Sequence, residues 1–237
     1  MKIEFIASLF KLKDHKTSFK REVLAGLATF LTMAYIMVVN PAILSETGMD
    51  FDSVFVATIL ASFVACMLMG ILANWPVALA PGMGLNAFFT YAVVFGMGFT
   101  WQQALAAVFC SGILFLLISI SPLRAYLINA IPRSLKFGIG AGIGLFLAII
   151  GLKNAGIVVD NPATLVGLGD LKSAPVLLAL LTFTLMIALD KLKIPGAIVI
   201  SILSTTVLGF IFGVAQFQGF ASSIPSMSPT FMQLDFS

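Results

Sequence analysis

A run of 71 consecutive residues, 53–123, contains no lysine, arginine, aspartate or glutamate. Average soluble domains carry about 25% charged residues, whereas this chain of 237 residues carries 10% and is 60% apolar. A soluble fold of this length could not cover so much apolar surface. Because a spanning helix needs about 20 apolar residues, the run has room for three spans. The sequence therefore predicts a helical protein that crosses a bilayer several times.

The apolar segments predict an all-α polytopic membrane protein with seven transmembrane spans. The predicted spans are residues 23–44, 54–74, 77–96, 102–121, 136–152, 174–189 and 194–214. The segment before them is too long and too basic for a secretory signal peptide, so the first span is retained. We expect residues 1–22 to form an amphipathic segment at the cytoplasmic interface. A partly ordered polar tail is the alternative for that segment.

The basic residues predict the orientation, because lysine and arginine collect in cytoplasmic loops. Six precede span one, three follow span four and two follow span six, whereas the opposite loops hold only Lys153 and Lys172. The two flanks of the uncharged run then lie on opposite sides, which agrees with three spans between them. We therefore expect a multi-pass protein of the cell (inner or plasma) membrane. Its amino terminus is predicted to be cytoplasmic, and the tail 215–237 extracytoplasmic.

Every Asp, Glu, Lys and Arg falls in a loop or at the end of a span. Ionisable groups inside a membrane are functional candidates, so these 237 residues offer no group that could carry a proton across the bilayer centre. A proton-coupling carboxylate would have to lie on another part of the polypeptide or on a partner. The single histidine, His15, lies outside the spans. No nucleophile with a base and no metal-ligand cluster is evident, so we predict no enzyme activity, cofactor or metal, and no nucleic-acid partner.

Span three contains the clearest candidate site. Two prolines and two glycines fall within residues 76–84, and Pro81 removes a helical donor while its ring clashes with the preceding turn. We therefore expect residues 77–82 to be extended and a half-helix to begin near Asn86. The positive end of such a half-helix can hold a polar ligand, and the Asn86 amide can both donate to and accept from a heterocycle. The alternative is a kinked helix whose asparagine bonds a neighbouring carbonyl.

Other polar and small residues in the spans are weaker candidates. Thr32 and Tyr35 lie at helical spacing in span one, where hydrogen bonding between helices is the simpler explanation. Phe88, just past the break, could stack on a planar ring. Span five has glycine at every second position from 138 to 144, which favours close helix packing.

Two stretches carry a family resemblance. Residues 25–41, AGLATFLTMAYIMVVNP, and 80–89, APGMGLNAFF, resemble the adenine/guanine/hypoxanthine branch of the xanthine/uracil permease family. The likeness runs from about Phe10 to Phe212. It implies fourteen spans in two inverted repeats of seven, with spans one to four and eight to eleven as core and the rest as gate. Here 23–121 would belong to the core and 134–214 to the gate.

The resemblance also implies a function. A purine nucleobase such as adenine, guanine or hypoxanthine would bind between the third and tenth spans and enter with a proton as coupling ion. Asn86 matches the binding position, with Ala87 and Phe88 as neighbouring contacts. The family's acidic substrate and proton residues belong to spans eight and ten, so this chain looks like the amino-terminal half. Its partner would be the missing spans 8–14 or another copy. Alternatively, the chain is a structural half-repeat that folds or self-associates without transport.

Overall fold

The computed structural model describes residues 10–12, 14–162, 164–215 and 225–237, and its regular structure is almost entirely helical. The helices are α1 (Phe19–Met33), α2 (Ile36–Ser45), α3 (Phe51–Ile71), α4 (Met83–Ala87), a π-helix (Phe88–Gly96), α5 (Trp101–Ile120), α6 (Leu123–Ala130), α7 (Arg133–Asn154), α8 (Ala174–Lys191) and α9 (Ala197–Ile211). Between α7 and α8, strands β1 (Val158–Asn161) and β2 (Leu165–Leu168) form an antiparallel hairpin that the sequence analysis did not predict.

Five helices in the described residues are long and apolar enough to cross a membrane. They are α1 and α2 taken together (Phe19–Ser45), α3, α5, α7 and α8. Two shorter apolar helices, Met83–Gly96 and Ala197–Ile211, lie where spans three and seven were predicted. The prediction of a helical multi-pass membrane protein is confirmed. The count of seven spans and the inverted repeat stay predictions.

Span one is two helices joined by a turn at residues 34–35. Ser18 caps the start of α1, where its side chain accepts a hydrogen bond from the backbone N–H of Arg21. Pro41 lies inside α2 and has no N–H to bond the preceding turn. The described residues immediately before α1 form turns rather than a helix. Part of the predicted interfacial segment, residues 1–9 and residue 13, lies outside the described residues.

The carboxyl-terminal segment packs over the end of the bundle where α3 and α5 begin. Asp50 caps α3, and its carboxylate accepts from the backbone N–H of Ser53 at 2.8 Å and from the Ser53 hydroxyl at 2.6 Å. The side-chain bond, and then the backbone bond, lower the pKa of Asp50. The Ser53 hydroxyl also lies 2.9 Å from the carbonyl oxygen of Ser226, and the N–H of Asp235 donates to the carbonyl of Gln102 at 3.4 Å.

The amino-terminal segment lies at the other end of α3. The Nε2 atom of His15 is 3.4 Å from the Nδ2 atom of Asn74, just past the turn that follows α3. The two terminal segments therefore occupy opposite ends of the bundle, as an odd number of spans requires. Which end faces the cytoplasm stays a prediction.

Apolar and polar side chains join the helices at several places. A small buried cluster joins the loop after α2 to α3, the π-helix and α5; it consists of Met49, Val54, Phe89 and Ala104. The pair α8 and α9 is joined at its centre, where the hydroxyls of Thr182 and Thr205 lie 2.8 Å apart. Gly196 begins α9 with a left-handed φ of 79° that glycine adopts without strain.

Candidate functional site

The predicted third span is broken in the structure. After α3 and a short turn, residues 74–82 form no regular secondary structure, and we call them the non-helical segment. Helix α4 starts at Met83, with Gly82 as its N-cap in an extended conformation (φ −81°, ψ 110°). The expected break at 77–82 is therefore present, and the half-helix begins three residues before Asn86. Asn86 consequently lies one turn inside the half-helix and not at its tip.

A cysteine side chain satisfies part of the exposed backbone of the non-helical segment. The Cys66 thiol of α3 accepts a hydrogen bond from the N–H of Leu79 at 3.1 Å and donates to the Leu79 carbonyl at 3.3 Å. Within the described part of the chain, the N–H groups of Ala78, Ala80 and Gly82 have no partner. In a membrane such groups must be met by protein or by a water-lined cavity. The segment is therefore a source of free backbone donors.

Asn86, which is partly buried, bonds to a chain of buried polar side chains. Its Nδ2 donates to Oδ1 of Asn40 in α2, and Nδ2 of Asn40 donates to the hydroxyl of Thr58 in α3 at 2.7 Å. The Thr58 hydroxyl donates to the carbonyl of Val54 at 2.7 Å. Asn40 and Thr58 are each only 3% exposed. We call Asn86, Asn40 and Thr58 the amide relay; it ties the broken span to the two spans before it.

A groove of about 570 Å³ lies between α1, α3 and the non-helical segment. Its lining is mostly apolar, with hydroxyl or thiol groups from Thr29, Thr58, Ser62 and Cys66 and the side chain of Glu22. Residues 77–80 of the non-helical segment form one wall. The groove thus reaches Thr58, the one member of the amide relay among its lining residues, and the free backbone donors at Ala78 and Ala80. Among the described residues no three His, Cys, Asp or Glu side chains are placed to hold a metal ion.

Comparison with known proteins identifies the family. The sequence profile of the xanthine/uracil permeases, described as "Permease family", matches residues 20–236. The chain belongs to the xanthine/uracil permease family. This membership confirms the resemblance inferred from the two motifs, and it confirms that this permease chain is not an enzyme.

Three relatives show how far the similarity extends. A putative permease of Methanocaldococcus jannaschii is 50% identical over 236 residues, the adenine permease AdeP of Escherichia coli 48% over 219 residues, and the guanine/hypoxanthine permease PbuO of Bacillus subtilis 47% over 221 residues. The matches cover 99%, 92% and 92% of this chain, but 54%, 49% and 51% of the relatives. The permease chain therefore spans about half the length of these curated relatives.

The structure does not bring the other predicted site residues of the permease chain to Asn86. Ala87 is fully buried, and Phe88 is half exposed on the surface of the helix. The Thr32 hydroxyl donates to the carbonyl of Thr29 at 2.7 Å, within its own helix and not between helices as the simpler explanation expected. Tyr35 lies at the turn between α1 and α2, and it is not among the residues that line the groove. Roles for these four residues and for Asn86 in binding stay predictions.

Sequence reasoning missed several polar contacts of the permease chain. Thr58 is a single hydroxyl in an otherwise apolar stretch of span two and gave no distinguishing signal. Asn40 was visible beside Pro41 but had no assigned partner. In the π-helix, the Tyr91 hydroxyl donates to Oε1 of Glu46 at 2.9 Å. Each contact joins residues at least 18 positions apart, so a local pattern could not reveal it.

Proposed function

We propose that this chain forms the amino-terminal half of a secondary transporter that imports purine nucleobases such as adenine, guanine or hypoxanthine. Family membership supports transport, and the names of the adenine and guanine/hypoxanthine relatives support the substrate class. The single structural observation that carries the proposal is the Asn86 amide, placed one turn past a break in a charge-free span.

The chemistry of the site suits a flat nitrogenous ring. A purine edge presents ring N–H donors and ring nitrogen acceptors, and an amide can pair with both. The groove volume of about 570 Å³ falls within the range of about 300–1,000 Å³ that is usual for small-molecule pockets. Its apolar walls would cover the ring faces, while the free N–H groups of Ala78 and Ala80 would bond ring nitrogens. In this proposal the second wall of the site comes from spans eight to fourteen.

Transport would proceed by displacement of the core, residues 23–121, against the gate, residues 134–214. Two close approaches between these parts occur at glycines. Gly84 of α4 packs on Ile143 of α7, and Gly196 at the start of α9 packs on Leu31 of α1. Small residues let helices approach and slide without interlocking side chains. The glycines thus suit an interface that moves.

Proton symport is part of the proposal, with the coupling carboxylate outside these 237 residues. The described acidic residues all lie outside the helices or in the first or last turn of a helix. We expect uptake to increase at acidic external pH and to be abolished by a protonophore, while replacement of sodium by choline leaves it unchanged. Loss of uptake on sodium removal, with no response to the protonophore, would show that sodium and not the proton is the coupling ion.

Replacement of Asn86 by alanine tests the proposal. Initial rates of radiolabelled adenine, guanine and hypoxanthine uptake are measured in cells that express the complete gene product containing these residues, at matched surface amounts. One lost hydrogen bond with a buried partner left unpaired costs about 1–3 kcal/mol, and about 1.4 kcal/mol corresponds to tenfold in affinity. We therefore expect KM to rise about 5- to 150-fold.

The matched control is Asn129→Ala, an asparagine on the exposed helix α6 between the proposed core and gate. It should leave KM unchanged. Uptake of all three purines with wild-type KM in the Asn86→Ala variant would remove Asn86 from the site.

A second candidate function is a structural half-repeat that self-associates without transport. One observation favours it: α7 is exposed along most of its length, and its four glycines at 138–144 have no atom near the position of a Cβ. Such a surface suits close packing with another helix. Cross-linking of the purified chain, combined with purine titration calorimetry, separates the two candidates. An oligomer without purine affinity would support the structural role.

A further inference from the structure

We propose that Thr58 and Asn40 are positioning residues that turn the carbonyl oxygen of Asn86 toward the ligand. The proposal rests on the proposed function, because it assigns the direction of hydrogen bonding at the same site. It predicts that Asn86 accepts a hydrogen bond from a ring N–H or amine of the purine.

The direction of the relay begins at Thr58. A threonine hydroxyl has one proton to donate, and in α3 this proton is committed to the carbonyl of Val54 at 2.7 Å. Toward Asn40, 2.7 Å away, the hydroxyl can therefore only accept. The only donor on the Asn40 side chain is its NH₂ group, so the orientation of the Asn40 amide is fixed.

The orientation passes from Asn40 to Asn86. Because the NH₂ group of Asn40 bonds Thr58, the carbonyl oxygen of Asn40 faces Asn86. Asn86 must therefore donate to it from its own NH₂ group. Turning the Asn86 amide over would set two carbonyl oxygens against each other beside a residue that is 3% exposed. Burial makes such a mismatch costly, because no water can replace the lost bond.

The relay therefore decides what Asn86 can offer. No described residue donates to Oδ1 of Asn86, and this side chain is only partly buried. One N–H of the Asn86 amide is held by Asn40, so the free carbonyl oxygen is the acceptor that Asn86 presents to a ligand, beside the second N–H of the same amide. The site thus selects ligands with an N–H donor at this position, a property of every unsubstituted purine base.

The test removes the relay without touching Asn86. Thr58→Val has nearly the same shape but neither donates nor accepts, whereas Thr58→Ser keeps both capacities. KM and Vmax for hypoxanthine and adenine uptake are measured separately in cells expressing the complete gene product. We expect Thr58→Val to raise KM about tenfold with Vmax little changed. The Thr58→Ser variant should keep the wild-type KM. Thr184→Val removes a hydroxyl that bonds its own helix at 2.8 Å and should change neither quantity.

A double variant shows whether Thr58 acts through Asn86. Purine affinity is measured by titration calorimetry on the purified gene product, so that variants with little uptake can still be compared. If Thr58 acts through Asn86, Thr58→Val adds nothing to the loss caused by Asn86→Ala. Additive losses would mean that Thr58 contacts the ligand independently and would overturn the relay. Should Thr58→Val fail to fold, Thr58→Ala carries the same comparison.

The outcomes separate this proposal from the proposed function. Loss of affinity in Asn86→Ala, together with wild-type KM in Thr58→Val and in Asn40→Ala, overturns the relay and leaves the binding role of Asn86 intact. Wild-type affinity in Asn86→Ala overturns both. A lower Vmax with unchanged KM in Thr58→Val would show a purely structural role and would also overturn the relay.

Discussion

Replacement of Gly84 by alanine probes the contact between the half-helix α4 and α7. A Cβ at this position would lie 2.8 Å from Cγ2 of Ile143 and 3.9 Å from its Cβ and Cγ1. Carbon atoms pack best about 3.5–4.0 Å apart, so the new methyl group would overlap one branch of the isoleucine. The χ1 angle of a β-branched residue is stiff in a helix, and the branch cannot simply rotate away.

The expected size of the effect follows from this overlap. Overpacking of a well-packed site costs about 1–3 kcal/mol. Ile143 is 45% exposed, so α7 can give slightly, and we expect the lower part of that range, about 1–2 kcal/mol. For a chain of 150–250 residues each kcal/mol shifts Tm by about 2–4 °C, which gives a decrease of about 2–8 °C.

The Tm is measured by heating the purified protein in detergent and recording, by size-exclusion chromatography, the temperature at which half of the monodisperse peak is lost. Gly82→Ala is the matched control, because Gly82 has an ordinary φ of −81° and no atom within 4 Å of a Cβ. It should change stability by less than about 0.5 kcal/mol. Adding Ile143→Ala to Gly84→Ala removes the overlapping methyl group and should recover most of the Tm, whereas Ile143→Val keeps a branched methyl and should not. Equal Tm values for the Gly84→Ala and Gly82→Ala variants would refute the close approach.

Three further predictions concern other parts of the chain. Gly196→Ala should lower Tm more than Gly213→Ala. Both glycines have a left-handed φ, which costs about 1–2 kcal/mol once a Cβ is present. Only at position 196 would the new methyl group also meet another side chain, 3.2 Å from Cδ1 of Leu31. Cys66→Ala should cost about 1–3 kcal/mol by leaving two backbone groups of the non-helical segment unpaired, and Cys66→Ser should retain most of the stability; equal melting of the two variants would contradict this. The hydrogen bonds from Ser53 lower the pKa of Asp50 below 3.8. The stability that the Asp50 carboxylate adds is therefore complete above pH 3.8 and is lost as the pH falls through the lowered pKa. The Asp50→Ala variant should have a lower Tm than wild type at pH 7, and this difference in Tm should narrow in acid.

The break in span three was predictable because its cause is local. Pro81 and the glycines around it exclude a regular helix whatever surrounds them. The start of the half-helix was misplaced by three residues, because Gly82 serves as the N-cap and the chain turns helical at once. As a result Asn86 lies inside the first turns of the half-helix and contacts Asn40.

The relay was not predictable, and the reason is physical. In a soluble helix the apolar side chains lie on one face and reveal which side is buried. Helix α3 is apolar all round, as a span must be in lipid, so its sequence does not show that Thr58 faces Asn40. Two of the seven predicted spans contain only helices that are shorter than a full span, so the described part of the chain has five helices of spanning length. The break shortens the third span, and α9 has only 15 residues between Gly196 and its end.

Helix α3 has a terminal segment against each of its ends. The carboxyl-terminal segment reaches Ser53 at its start, and the amino-terminal segment shares a cavity of about 530 Å³ with Gly70 near its finish. We therefore expect insertions in either segment to disturb the helix that carries Thr58. The largely exposed hairpin of β1 and β2 is a better position for a reporter, because exposed turns tolerate inserted sequence. An epitope placed between these strands should leave uptake kinetics unchanged, and antibody binding to it on intact cells would test the predicted extracytoplasmic side of the hairpin.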